Sequence, residues 1–284
     1  MRTVYVNGAY VPENEAKISV FDRGFLFADA VYEVTCVLDG KLVDFDGHIA
    51  RLRRSLAELK MTLSVTDEEL LAAHRELVKL NAITEGLIYL QVSRGEADRD
   101  FLFPAEGTPA TLVMFTQEKA LVKSALADKG QKIMTADDIR WRRCDIKTVQ
   151  LLYASLLKNE AKANGVDDVW MVLDGQVTEG SSNNAYIVTA DGTIVTRPIS
   201  NDILAGITRA SLMRCAEEHQ IKIEERPFTV DEAKAAKEAF TTSATGMVVP
   251  VIEIDGVTLG DGKPGPVAKR LREIFIQFSR DAAI

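Results

Sequence analysis

Four short stretches carry residue types able to do covalent chemistry on a small molecule. The run Arg143-Cys144-Asp145-Ile146-Lys147-Thr148 sets one lysine just ahead of an expected helix. A lysine that loses its proton can attack a carbonyl and form a Schiff base, and burial plus the positive end of a helix dipole lowers an amine pKa. The run Thr178-Glu179-Gly180-Ser181-Ser182-Asn183-Asn184 holds a single carboxylate among hydrogen-bonding residues. Such a carboxylate can pair with a protonated ring nitrogen. Leu204-Ala205-Gly206-Ile207-Thr208-Arg209 opens a helix. Free N–H groups and the dipole make a helix start an anion site, and Thr208 adds a hydroxyl. Phe240-Thr241-Thr242-Ser243-Ala244-Thr245-Gly246 is a hydroxyl-rich turn that can cradle a phosphate. Each stretch by itself is also what a plain loop, a solvent-facing lysine or an ordinary helix start looks like. Together they supply an amine, a carboxylate for a ring cation and two donor-rich turns, the set of groups that pyridoxal phosphate needs.

The elements that must position these groups are mixed. Asn7-Gly8, Asp39-Gly40, Asp174-Gly175, Asp191-Gly192 and Asp255-Gly256 each adjoin strand-like runs and tolerate the positive φ of tight primed turns. Antiparallel strands therefore recur in both halves of the chain. One helix is expected from a cap at Asp46 through Lys60, with Ile49, Leu52, Leu56 and Leu59 on one face. Others follow the Thr66/Glu69 capping box, run from about Val149 to Asn164 before Gly165, begin near Gly206, follow a second box at Thr229/Glu232, and follow Pro266. The last carries Val267, Leu271, Ile274, Phe275 and Phe278. Without regular βαβ alternation, the class is α+β with antiparallel-rich sheets.

A length of 284 residues favours two domains, with a boundary in the polar stretch near 117–128. The apolar share, 46%, supports a sizeable core. The formal charge of −8 argues against a general nucleic-acid or anionic-membrane binder, but leaves room for a local basic pocket. Cys36, Cys144 and Cys215 form no CxxC pair, which fits reduced thiols in a cytoplasmic protein. No apolar run reaches the roughly 18 residues of a membrane span, and the first residues lack a signal-peptide core. His48, His74 and His219 lack metal-ligand spacing, so no metal site is expected. Arg51, Arg53 and Arg54 cluster on one helix, which by itself is a solvated face.

The stretches 22–34, 48–52, 143–148, 177–184, 204–209 and 240–256 resemble, in order and over essentially the whole chain, the fold-type IV (class IV) pyridoxal-phosphate aminotransferases. Within that class the chain looks most like D-amino-acid transaminases. The resemblance implies two domains with antiparallel-rich mixed sheets and a cofactor cleft between them. Residues 1–118 would form an N-terminal α/β domain with the substrate pocket, 119–128 the connection, and 129–284 the cofactor domain carrying the Schiff-base lysine. It implies Lys147 as that lysine and as the proton shuttle, and Glu179 as partner of the pyridine nitrogen. Arg51, Ile207, Thr208, Ser243 and Ala244 match phosphate-binding positions, Leu204 a cofactor-binding one, and Arg140, on the strand before the lysine, an active-site arginine. Tyr32, Val34 and Ser182 match substrate-pocket positions, the first two sharing one strand face. The resemblance further implies a homodimer.

The substrate-carboxylate trap departs from the family pattern. Arg99 holds the arginine position of an Arg-x-His pair, but Phe101 replaces the histidine, and Ala244 stands where relatives often carry Thr. Loss of one partner of a carboxylate contact costs about 1–3 kcal/mol. Either Arg99 and Tyr32 keep the trap working, or Phe101 turns the pocket toward amines without a carboxylate. The first is the expectation: a ping-pong transaminase passing the amino group of a D-amino acid to a 2-oxo acid. R-selective amine transaminases, branched-chain L-amino-acid transaminases and aminodeoxychorismate lyases share the scaffold and stand as alternatives, in that order. A non-enzymatic coenzyme carrier would not need both Lys147 and Glu179.

Overall fold

The computed structural model describes residues 1–284, and the chain divides into two compact units. Unit 1 comprises Met1–Ala120, Ile146–Gln150 and Ala282–Ile284; unit 2 comprises Leu121–Asp145 and Leu151–Asp281. The chain first passes from unit 1 to unit 2 between Ala120 and Leu121. The segment carrying Lys147, expected in the C-terminal domain, packs instead in unit 1. The reason is local bonding: Tyr32 N–H donates to Lys147 O at 3.0 Å, Val149 N–H to Ala30 O at 3.1 Å, and Ile146 is buried in the core of unit 1.

Unit 1 holds β1 (Thr3–Val6), β2 (Ala9–Pro12), α1 (Arg23–Phe27), β3 (Ala30–Leu38), β4 (Lys41–Leu42), α2 (Phe45–Glu58), α3 (Asp67–Leu80), β5 (Glu85–Ser93) and β6 (Thr111–Glu118). Its strands form one sheet of order β2-β1-β6-β5-β3-β4, every pair antiparallel. Ile49, Leu52 and Leu56 of α2 and Leu70, Ala73 and Leu77 of α3 are buried with Val31, Ile88, Leu90 and Val92 of the sheet. A fully buried leucine such as Leu52 contributes about 1.5–3 kcal/mol. The Thr66/Glu69 box caps α3 in both directions. The cap of α2 is not Asp46 but Asp44, in the left-handed conformation and without a side-chain capping hydrogen bond; Asp46 lies in the first turn, where its charge suits the dipole.

His74 of α3 is buried, with Nδ1 2.7 Å from Leu70 O and its ring edge-on to Phe45 at 5.2 Å. Burial lowers its pKa from 6.5 to about 4. Below pH 6.5 the unfolded chain takes up a proton here that the folded protein accepts only near pH 4. Folding stability is thus fully present above pH 6.5 and falls as the pH drops through that window, by about 3 kcal/mol in all. Urea denaturation of the wild type and His74→Leu between pH 7 and pH 4 checks this: the variant should show a flatter pH dependence.

Unit 2 holds α4 (Ala125–Lys129), β7 (Gln131–Asp137), α5 (Leu152–Ala163), β8 (Asp168–Leu173), β9 (Gln176–Gly180), β10 (Asn184–Val188), β11 (Ile194–Thr196), α6 (Ile207–Glu218), β12 (Ile223–Glu225), α7 (Val230–Lys234), β13 (Glu238–Ser243), β14 (Met247–Ile254), β15 (Val257–Thr258) and α8 (Pro266–Ala282). Its sheet runs β12-β11-β10-β13-β14-β7-β8-β9, with β15 paired to β14. It is mixed: β7 lies parallel to both β14 and β8, and β11 parallel to β12. Alternation along β8 serves two cores. Trp170 faces the cluster that includes Phe228 and Ala233, while Val169 and Met171 face Leu157 and Ala161 of α5.

Four of the five expected turns are two-residue hairpins with positive φ at both positions: Asn7-Gly8, Asp39-Gly40, Asp174-Gly175 and Asp255-Gly256. Asp191-Gly192 differs. It sits in a wider loop closed by Thr189 N–H to Thr193 O, because Asp191 turns its carboxylate back onto Thr189 and Thr193. The second capping box is half formed: Thr229 accepts from Glu232 N–H, but the Glu232 carboxylate binds Arg226. Helix α5 starts at Leu152 rather than near Val149, since residues 147–149 pair with β3. No helix is long and apolar enough to cross a membrane.

Candidate active site

In unit 1 the backbone at Lys147 is held at three points. Its N–H donates to Ser55 Oγ of α2 at 3.3 Å, its carbonyl accepts from Tyr32, and Thr148 N–H to Ile146 O at 2.8 Å closes a three-residue turn around it. The half-buried side chain places Nζ 4.0 Å from the centroid of the Tyr32 ring. Lys147 is therefore not a first-turn residue of α5; it is an amine presented from β3 and α2.

Tyr32 and Val34 share the half-buried face of β3, as the two-residue period requires. Tyr32 stacks on Tyr89 at 5.5 Å, and Tyr89 on Phe115 at 4.9 Å, so an aromatic row crosses the sheet beside the lysine. Glu33 points to the opposite, buried face. Arg51 binds it through both Nε (2.8 Å to Oε1) and Nη2 (2.7 Å to Oε2), and His48 Nδ1 lies 2.8 Å from Oε2. Burial alone would raise the Glu33 carboxyl, but Arg51 and His48 hold it down at about 2. Glu33 thus fixes the plane of the guanidinium expected to meet a phosphate. The period of β3 could have marked Glu33 as buried; its partner on α2 was not readable from it.

Arg99 and Phe101 lie on the exposed loop after β5. Arg99 forms no ion pair with Asp98 or Asp100; its guanidinium sits 5.2 Å from the Phe27 ring and 5.7 Å from the Phe101 ring. Phe101 is 80% exposed and packs edge-on against Phe27. The loop is anchored by Arg23, which donates to Asp100 O and Leu102 O, and by Arg94, stacked 3.7 Å from the Phe103 ring.

In unit 2, Glu179 of β9 is buried and accepts three hydrogen bonds: from Arg140 Nη1 at 2.8 Å, Leu204 N–H at 3.0 Å and Asn184 Nδ2 at 3.2 Å. Arg140 lies not on β7 but in the bend beyond it, shaped by Asp138, whose carboxylate accepts from Arg140 N–H, Nε and Nη2. One arginine is thus clamped between two carboxylates, and with both ionised Asp138–Arg140–Glu179 carries one net negative charge. Burial raises the Glu179 carboxyl despite Arg140 and Leu204. A buried anionic excess of this kind fits a cationic ring nitrogen.

The anion-binding turns have matching features. Helix α6 begins at Gly206 with no side-chain cap, which leaves the first-turn N–H groups, including those of Ile207 and Thr208, for an external acceptor. A Cβ on Gly206 would overlap Asn184 Oδ1, so glycine is required by close approach. Ser243 Oγ accepts from Gly246 N–H at 3.0 Å, closing the turn that contains Ala244. Ser182, an expected pocket residue, is exposed at the tip between β9 and β10. Asp138, Asn184, Ser55 and Glu33 had no expected role from the sequence.

Residues 30–254 match the family model for amino-transferase class IV. The chain is 40% identical to a D-alanine aminotransferase of Staphylococcus aureus (strain N315) over 100% of both chains. It is also 40% identical to a D-alanine aminotransferase of Bacillus licheniformis, covering 95% of this chain and 94% of that one. Among solved structures, the branched-chain aminotransferase of the archaeon Thermoproteus uzoniensis with norvaline superposes with a TM-score of 0.86 at 27% identity, covering 97% of this chain and 94% of the other. The protein belongs to the class IV aminotransferases.

Proposed function

We propose that this chain is a pyridoxal-phosphate-dependent D-amino-acid transaminase of the D-alanine/2-oxo-acid type. The observation that carries the reading is the net-negative cluster around buried Glu179, a partner for a protonated pyridine. The full-length similarity to D-alanine aminotransferases supports the substrate class.

Bound coenzyme would supply an aldehyde that takes up amino groups and an electron-withdrawing ring. The chain supplies the rest. Lys147 Nζ would be the amine for that aldehyde and the base that moves the substrate Cα proton. Glu179 holds the proton on the ring nitrogen, with Arg140, Asn184 and the Leu204 N–H orienting it. Arg51, the N–H groups of Ile207 and Ala244, and the hydroxyls of Thr208 and Ser243 bind the phosphate. Tyr32 and Val34 line the substrate pocket, Arg99 takes the α-carboxylate, and Ser182 and Phe101 border it.

Steady-state kinetics with D-alanine and 2-oxoglutarate test the assignment. Turnover of D-alanine in clear preference to L-leucine is expected; the reverse preference would overturn it. One observation favours a second reading: Arg99 rests on two aromatic rings, and exposed Phe101 stands where a trap histidine would be. Good turnover of R-1-phenylethylamine with none of D-alanine would select it.

The resemblance also supports a homodimer. Exposed Phe25, Phe101, Leu102 and Phe103 form an apolar set of the kind that association covers. Light scattering should give twice the chain mass, and a monomer with full activity would refute it. Three free thiols support a reducing, cytoplasmic setting.

A further inference from the structure

Asp138 is the second acid of the cluster around Arg140, and its carboxylate is among the most heavily bonded in unit 2. Its side chain is 6% exposed. Oδ1 accepts from Arg140 Nε at 2.9 Å, and Oδ2 from Arg140 Nη2 at 2.7 Å and Thr178 Oγ1 at 2.7 Å. Its own N–H donates to Val172 O of β8 at 2.7 Å, which ties the bend to the sheet. Thr178 immediately precedes Glu179 on β9, and its Oγ1 also lies 3.1 Å from Met171 O. Asp138 therefore grips Arg140 on one side and, through Thr178, the strand that carries Glu179 on the other.

Charge gives this arrangement a purpose. Arg140 with Glu179 alone would be a closed, neutral pair, and a neutral pair attracts no second cation. With Asp138 bound to the opposite edge of the guanidinium, the cluster keeps one negative charge. The other ionisable groups around it do not supply one. Burial pushes the Cys144 thiol up to about 12, Tyr153 is also raised, and Asp202 is occupied by Arg142 at 3.1 Å and Arg197 at 3.2 Å.

We propose that Asp138 is a positioning residue of the reaction: by neutralising and orienting Arg140 it leaves the Glu179 charge available to the protonated ring nitrogen of the coenzyme. This rests on the proposed coenzyme dependence. Asp138→Asn keeps the shape and removes the charge. Its coenzyme dissociation constant, from absorbance titration of coenzyme-free protein, should rise about 10- to 100-fold, the worth of one charge-assisted hydrogen bond. The ¹⁵N signal of ring-labelled coenzyme should shift toward the unprotonated position, and kcat should fall with little change in KM for D-alanine. Asp138→Glu should recover part of the affinity. A merely structural aspartate would lower the melting temperature and leave the ¹⁵N signal in place.

If Asp138→Asn fails to fold, Thr178→Val, which removes only the hydroxyl held by Asp138, should shift affinity and the ¹⁵N signal in the same direction and less. Unchanged affinity and unchanged ring protonation in the folded variant would overturn the proposal. Wild-type protein that binds no coenzyme would instead overturn the functional reading beneath it.

Discussion

Replacing Lys147 with alanine is expected to lower turnover of D-alanine with 2-oxoglutarate by about 10³-fold or more, since it removes both a nucleophile and an acid–base group. The variant should keep its fold. The surroundings of the lysine are backbone contacts, with Ser55 Oγ, Tyr32 N–H and Ala30 O, and these survive truncation of the side chain. Truncation removes the contact between Nζ and the Tyr32 ring. The melting temperature of coenzyme-free protein should thus stay near that of the wild type, while the absorbance change that coenzyme shows on joining the wild-type protein disappears. Retained amino-group exchange would remove the basis of the proposed function.

Glu179→Gln should separate activity from stability. The carboxylate is buried, and its raised pKa means that folding disfavours the charged form. A carboxyl raised in this way destabilises the fold increasingly as the pH climbs above the unfolded value of 4.5 toward the folded one. Glutamine carries no such charge and leaves Arg140 paired with Asp138. Coenzyme-free Glu179→Gln is therefore expected to melt at or above the wild-type temperature at pH 7. Its kcat should nonetheless fall by about 10²–10³-fold, the size found when one preorganised charge-stabilising group is removed. Calorimetry and stopped-flow kinetics on one preparation check both halves. A large fall in melting temperature would show that Arg140 depends on Glu179 for its place, contrary to the clamp by Asp138.

Structure is legible in this sequence where the physics is local. Asn-Gly and Asp-Gly pairs set four hairpins because the left-handed region is needed at those two residues alone. The Thr66/Glu69 box marked its helix because both partners sit within one turn. One step further out, the surrounding fold decides. Asp46 was a plausible cap by type, but the backbone turns at Asp44. Gly165 ended α5 as expected, yet pairing with β3 delayed its start.

By itself, then, the sequence determined the chemical inventory: an amine at Lys147, a carboxylate at Glu179, an uncapped glycine before Ile207 and Thr208, and the strand face shared by Tyr32 and Val34. Only the tertiary structure decided what these groups bind. Lys147 is held to β3 by Tyr32 N–H and to α2 by a hydrogen bond to Ser55, 92 residues away in sequence, Arg140 reaches Glu179 across 39 residues, and Glu33 finds Arg51 from another element. Such partnerships depend on the three-dimensional convergence of buried charges that cannot remain unpaired, and no spacing along the chain encodes that convergence.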